Sequence, residues 1–374
     1  MLIGIDGNEA NVFEKVGANV YAWNILQQLY QKSQKDSLQF KIYLKNKPLL
    51  DFPPENQNWR YEIFGPRKLW TQWRLPLQLF LKKPKPNVFF TPGHYAPRFS
   101  PIPTVISIMD LAFLKFPQDF REQDLQQLKS WTAYSVKNTS HILTISKNTK
   151  KDIVQCYGIE PNKITVTYPG YDRKRFKVQS ATQLAKLKTK YEIKGDYLIY
   201  IGTLQPRKNV VRLIEAFSTL NSPNLKLVIV GKKGWLYEDI FKTTQRLNLD
   251  QQVIFTNFIP EKELPILLRG ARAYVLPSLY EGFGIPVVEA MACEVPVVVS
   301  KVSSLPEIVG QAGVYIDNPE SIKSIFEALK KVLKFSKKEK RRLIAKGLKQ
   351  VQQFSWEKCA QKTLEILLKI GENN

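Results

Sequence analysis

Short runs of apolar and β-branched residues recur along the chain, separated by longer stretches whose apolar positions fall on a helical period. The first series predicts strands at LIGID (2–6), FKIYL (40–44), NVFFT (87–91), TVISIMD (104–110), HILTIS (141–146) and ITVTY (164–168). Helical periods lie between them, as in VYAWNILQQLYQ and DLQQLKSWTAYSVKN. A second series restarts at YLIYIG (197–202) and continues through LKLVIVG (225–231), QVIFTNF (252–258), AYVLPS (273–278), PVVVS (296–300) and GVYID (313–317). Strands alternating with helices predict α/β architecture, with parallel sheets covered by helices. Turn residues and charge interrupt the pattern at PGYDRKRFKVQS, around residues 169–180. The expected organisation is therefore two Rossmann-like domains, residues 1–172 and a second beginning at 173. Ligands of open α/β sheets bind at the carboxyl ends of the strands, so two such domains facing each other would enclose a cleft.

Composition agrees with two globular domains. The chain has 374 residues, 44% of them hydrophobic and 24% charged, enough apolar surface for two cores of roughly 150–200 residues each. The opening MLIGIDGNEA reads as a strand and loop and lacks the features of a signal peptide. No window approaches the roughly 18 apolar residues of a membrane-spanning helix. Three isolated cysteines, Cys156, Cys293 and Cys359, suit reduced thiols in a cytoplasmic protein. With two histidines and no cysteine cluster, no zinc site is expected.

Charge adds a constraint. The formal net charge is +23, and basic side chains outnumber acidic ones in both halves, 22 to 14 over residues 1–172 and 34 to 19 over residues 173–374. Nucleic acid, an anionic membrane surface and a phosphorylated small molecule are the competing partners. The densest basic run, LKKVLKFSKKEKRRLIAKGLKQ at 329–350, reads as an amphipathic helix with a lysine-rich outer face. Such a face is either simply solvated or a membrane-surface contact.

The stretch PSLYEGFGIPVVEAMACEVPVVVS (277–300) carries the chemistry. A strand ends at Pro277-Ser278, a loop follows with Glu281 and a Gly-Phe-Gly turn, and Pro286 suits the first turn of a helix. Gly282 and Gly284 permit close approach of a ligand to the backbone. The free N–H groups of the helix start favour an anion such as a diphosphate. Glu289, about a turn inside the helix, is placed to accept hydrogen bonds from a ribose diol, with Glu281 facing hydroxyls on the other side of the phosphates. The plainer reading is a turn-capping Glu281 and a solvated Glu289. A second candidate is YIGTLQPRKNVVRLIEAF (200–217), where a strand ends at Gly202 and a helix starts with Asn209 as its N-cap. Arg207 and Lys208 stand at the carboxyl end of that strand, suited to phosphate or, in so basic a chain, merely to the surface.

Together GTLQPRKN and the E-x7-E element EGFGIPVVE, followed by MACEVPVV, resemble family 4 of the retaining glycosyltransferases, which have the GT-B fold. The resemblance extends over nearly the whole chain, through GIDGNEANVFEKVGANVYAWNILQQL, SIMDLAFLKFP, ILTISKNTKKDIVQCYGIEPNKITVTYPGYD and FSWEKCAQKTLEILL. It implies an N-terminal acceptor-side domain (1–172), a C-terminal nucleotide-sugar domain (173–353), and a last helix (354–374) crossing back onto the first. It also implies that Glu289 holds the ribose, Glu281 the donor sugar, and Arg207 and Lys208 the departing diphosphate. Phe283, Gly284 and Ile285 would lie along the donor, Gly202 would end the strand beneath it, and Gly17 would approach the phosphates from the first domain. Asp110 completes the implied catalytic set. Cations and helix N–H groups stabilise a departing diphosphate without a divalent metal, and no Asp-x-Asp triplet is present. No cofactor is expected beyond the nucleoside-diphosphate sugar itself.

Three positions depart from the family pattern. Met109 stands where most members have histidine, which leaves core packing, altered sugar preference or low activity open. Thr203 stands where many carry arginine. Glu294 replaces the glycine expected after MAC, at a cost of roughly 1 kcal/mol if that residue is left-handed. The expected function is hexose transfer, first mannose from GDP-mannose and next a UDP-hexose, to a lipid-linked or polysaccharide acceptor, at an anionic membrane surface. A catalytically weak nucleotide-sugar or glycan-binding protein is the alternative. Nucleic-acid binding would leave Glu281 and Glu289 unexplained.

Overall fold

Nearly all the apolar runs become strands that are buried on both faces, as parallel strands sandwiched between helices must be. The computed structural model describes residues 1–34, 38–65, 69–176 and 181–372. They form two units: residues 1–115, 122–170 and 354 onward in the first, residues 116–121 and 171–353 in the second. The sequence pattern assigns residues 116–121 to the first domain, whereas here they pack with the second. The expected link at 169–180 falls at the change of unit, and its residues 177–180 lie outside the described residues.

The first unit holds a parallel sheet of strands β1 (Leu2–Asp6), β2 (Gln39–Leu44), β3 (Trp59–Ile63), β4 (Val88–Thr91), β5 (Thr104–Ile108), β6 (His141–Thr144) and β7 (Ile164–Val166). Their order is β3-β2-β1-β4-β5-β6-β7, so the chain changes direction across the sheet between β1 and β4. Ile3, Ile5, Phe89, Phe90 and Ile106 are fully buried in it. The helix Trp356–Glu372 belongs to this unit and lies on helix Ala18–Ser33, with Tyr21 and Trp356 edge to face at 6.2 Å. Gly170 is required by that return, since a Cβ there would stand 2.0 Å from the Trp356 backbone nitrogen.

The second unit holds β8 (Asp196–Ile201), β9 (Leu225–Val230), β10 (Val253–Asn257), β11 (Ala273–Leu276), β12 (Val297–Ser300) and β13 (Gly313–Ile316). The order β10-β9-β8-β11-β12-β13 reverses between β8 and β11. Such a reversal leaves a crevice at the carboxyl ends of the two central strands, which is where open α/β sheets bind ligands.

The basic run at 329–350 is broken into two helices, Ile322–Leu333 and Lys337–Val351, with a capping box of Ser336 and Glu339 opening the second. The second helix buries Gly347 and Val351 and turns most of its lysines and arginines to water. Leu348 on the same helix is also partly exposed.

Glu294 is left-handed, at φ 58°, and its carboxylate lies 3.1 Å from Arg269. Replacing it with glycine removes the steric cost of that conformation and forfeits a half-exposed ion pair worth little. Glu294→Gly is therefore expected to stabilise the protein by about 0.5–1 kcal/mol, read as a higher urea midpoint at unchanged slope. A lower midpoint would show that the Arg269 pair matters more than the backbone.

Candidate active site

The reversal between β8 and β11 gathers most of the residues singled out in the sequence. Gly202 ends β8, and Gly231, which ends β9 at φ 152°, lies against it so closely that a Cβ on Gly231 would stand 2.0 Å from the Gly202 carbonyl oxygen. A 3-10 turn, Pro206–Lys208, then delivers Arg207 and Lys208. Asn209 follows in the left-handed conformation, at φ 60°. It occupies the N-cap position that the sequence predicts, but its side chain makes no capping hydrogen bond. Its Nδ2 donates instead to Pro277 O at 3.0 Å and Pro319 O at 2.7 Å, tying the loops after β8, β11 and β13 together.

After β11, the loop presents Glu281 beneath the two cations. Its Oε1 accepts from Lys208 Nζ at 2.6 Å and from Ser278 Oγ at 2.6 Å, and Arg207 Nη1 lies 3.8 Å from Oε2. Arg207 also donates to the Tyr280 carbonyl, and its Nε is buried without a partner. Ser303 Oγ accepts from the Glu281 N–H at 2.8 Å, and Ser304 Oγ donates to the carbonyls of Glu281 and Phe283 at 2.9 and 3.3 Å. These bonds fix the backbone at Glu281 and Phe283. Burial alone would raise the Glu281 carboxyl, but Lys208 and Arg207 outweigh it and hold it below the usual range. Two cations against one carboxylate leave the cluster one positive charge in excess.

Gly284, at φ 97° and ψ 56°, turns the chain into helix Ile285–Ala292, with Pro286 in its first turn. Only glycine takes that backbone readily. Phe283 is buried at the turn. Glu289, one turn into the helix, is only 9% exposed, and its carboxyl accepts no hydrogen bond among the described residues. Desolvation raises its pKa to about 7, against the weaker pull of Arg175. The side chain is thus mostly shielded from water. A buried carboxyl without hydrogen bonds costs stability.

Gly17 and Asp110 belong to the first unit. Gly17 precedes helix Ala18–Ser33 at φ 52°, in open surroundings. Asp110, just past β5, accepts from the Ala112 N–H at 2.9 Å. Met109 is buried; its N–H donates to His94 Nε2 at 3.1 Å and its carbonyl accepts from Thr149 Oγ1 at 3.1 Å. Nothing in the sequence pattern assigns a role to His94, which follows β4 and is one of only two histidines. Because Nε2 accepts, the neutral ring carries its proton on Nδ1, which is buried and without a partner. Glu9, in the loop after β1, accepts from Asn19 Nδ2 of helix Ala18–Ser33 at 2.8 Å.

Two family models match, "Glycosyl transferases group 1" over residues 185–350 and "Glycosyltransferase Family 4" over residues 43–175. The O-antigen chain mannosyltransferase B of Escherichia coli is 30% identical over 288 residues, covering 76% of this chain and 74% of that protein. The chain belongs to glycosyltransferase family 4. This family 4 glycosyltransferase is a hexosyltransferase. In fold it is similar to a sucrose-phosphate synthase from Thermosynechococcus elongatus, with TM-score 0.79 at 18% identity over the whole of both chains. It is also similar to Anabaena HepE in complex with UDP and glucose, with TM-score 0.76 at 19% identity over 98% of each. The glycosyltransferase accordingly has the GT-B fold with two Rossmann-like domains. Among its described residues no group of three or more His, Cys, Asp or Glu side chains is arranged to hold a metal ion, and no helix is long and apolar enough to cross a membrane.

Proposed function

We propose that the β8/β11 crevice binds a nucleoside-diphosphate hexose and that the enzyme transfers the sugar with retention and without a divalent metal. Mannose from GDP-mannose is the first choice of donor and a UDP-hexose the second, with a lipid-linked or polysaccharide acceptor and an anionic membrane surface as partners. The observation that carries this reading is the pairing of one ion cluster with one unpaired carboxyl. The Arg207–Lys208–Glu281 cluster has a net positive charge beside a helix N-terminus, and Glu289 waits buried one turn inside that helix. Phosphates suit the first, and a ribose diol the second. The mannosyltransferase relative supports the choice of sugar; the UDP complex of HepE keeps a uridine donor in view.

In this reading the bond from the anomeric carbon to the diphosphate breaks as charge develops on the leaving oxygen. Lys208, Arg207 and the backbone of Phe283, Gly284 and Ile285 would stabilise that charge from positions the fold already fixes. Glu281 holds the cations in place and meets the sugar hydroxyls. Gly202 ends the strand beneath the donor.

Thermal stabilisation by GDP, UDP and ADP and their sugar conjugates, with and without EDTA, tests the proposal. Ligand at about 100 times its Kd adds roughly 2.7 kcal/mol. One nucleotide should stabilise, equally in EDTA, and turn over its sugar conjugate. Stabilisation without turnover would leave a nucleotide-sugar-binding protein, and EDTA-sensitive stabilisation would refute metal independence.

A further inference from the structure

The helical stretch Trp70–Leu81 of the first unit is apolar on two sides. Trp70, Leu75 and Leu79 turn inward onto Tyr43, Phe89 and Ile102. Trp73, Leu77, Phe80 and Leu81, spaced as one face of a helix, are 46 to 69% exposed. A surface helix ordinarily turns a polar face to water; four large apolar side chains in one stripe mark a docking surface. The helix runs directly into Lys82, Lys83 and Lys85, all exposed; Lys82 Nζ lies 3.2 Å from Glu62 Oε1, and Lys85 Nζ 5.0 Å from the centre of the Phe80 ring. Apolar and cationic surface are thus joined here, whereas the basic helix Lys337–Val351 sets one exposed large apolar side chain, Leu348, among its cations.

We propose that this face seats the enzyme on the surface of an anionic bilayer. The four apolar side chains enter the boundary between headgroups and acyl chains, and the lysines meet lipid phosphates. A second copy of the chain suits the face less well, because it would bring lysine clusters together on a protein already carrying +23. The inference deepens the lipid-linked acceptor named above and rests on it only for its purpose, since seating on a bilayer requires neither donor nor acceptor.

The test is co-sedimentation of the full chain with vesicles of phosphatidylcholine, alone or mixed with phosphatidylglycerol, at low and high salt. The wild type should bind the mixed vesicles, weakly or not at all the neutral ones, and less in high salt. Trp73→Ser/Phe80→Ser should weaken binding at least about tenfold, and Lys83→Gln/Lys85→Gln about fivefold per lysine removed. Arg341→Gln/Arg342→Gln, on the other basic helix, should leave it unchanged. Binding that survives the Trp73/Phe80 change, or depends equally on Arg341 and Arg342, would overturn the assignment. So would a dimer abolished by the Trp73/Phe80 change in the absence of vesicle binding. Nucleotide-dependent melting of the same variants should match wild type: if vesicle binding fails while nucleotide still stabilises, only the bilayer proposal falls, and in the converse case only the donor proposal does.

Discussion

Lys208→Met is expected to lower turnover by roughly 10²–10³-fold and to destabilise the fold by about 3 kcal/mol. The two losses have different origins. Turnover falls because one of the two cations facing the diphosphate is gone. Stability falls because Glu281, buried and accepting from Lys208 at 2.6 Å, is left with Ser278 and an arginine 3.8 Å away. The Glu281 carboxyl is held low by Lys208 and Arg207 against its burial. Its stabilising contribution is therefore present above its unfolded pKa and disappears as pH falls through the lower folded value; without Lys208 that loss moves to higher pH. Adding Glu281→Gln to Lys208→Met removes the stranded charge. The double variant should recover most of the lost stability and none of the turnover, a coupling read from urea midpoints and steady-state rates. If stability did not recover, the Lys208–Glu281 pair would not be the source of the loss.

Glu289→Gln should do the opposite to stability. Burial raises the wild-type carboxyl to about 7 from its usual 4.5. A group whose folded pKa exceeds its unfolded one favours folding fully below about 4.5, and that contribution drains away as pH rises through about 7. Glutamine keeps the shape without the charge. The variant should melt close to wild type at pH 5 and above it at pH 8, by on the order of 3 kcal/mol. Donor affinity should move the other way, about tenfold weaker or more, since hydrogen bonds to a charged acceptor contribute roughly 1.5–3 kcal/mol. Wild-type affinity for a nucleoside-diphosphate sugar should weaken as pH drops below 7, and the variant should lose that dependence. A variant less stable than wild type at both pH values would mean that Glu289 already has partners in the folded protein.

The strand pattern was legible because parallel strands under helices are apolar on both faces, and LIGID or PVVVS can hardly be read otherwise. β3 escaped for the converse reason: WRYEI, at the sheet edge, buries Trp59 and leaves Arg60 and Ile63 exposed, so no apolar run announces it. In the candidate site, Glu281, Gly284 and Glu289 were legible from spacing within a single loop and helix. The pairing of Lys208 with Glu281 spans 73 residues and follows only from β8 lying next to β11. His94 reaches Met109 by the same route, since β4 and β5 are neighbours in the sheet. Asn209 stands at a helix start as its sequence context indicates, yet its amide N–H groups go to two distant carbonyls, while its Oδ1 accepts from Arg212 of the helix at 3.0 Å rather than capping a backbone N–H.

Those two carbonyls limit how the enzyme can be re-engineered. With one amide donating to Pro277 and Pro319, the segments after β8, β11 and β13 share a common anchor. A graft of any one of them from a relative of different donor preference would arrive with a backbone cut to another anchor and strand a buried amide. Donor preference in this chain should therefore be exchangeable only as a three-segment cassette, moved together with Asn209.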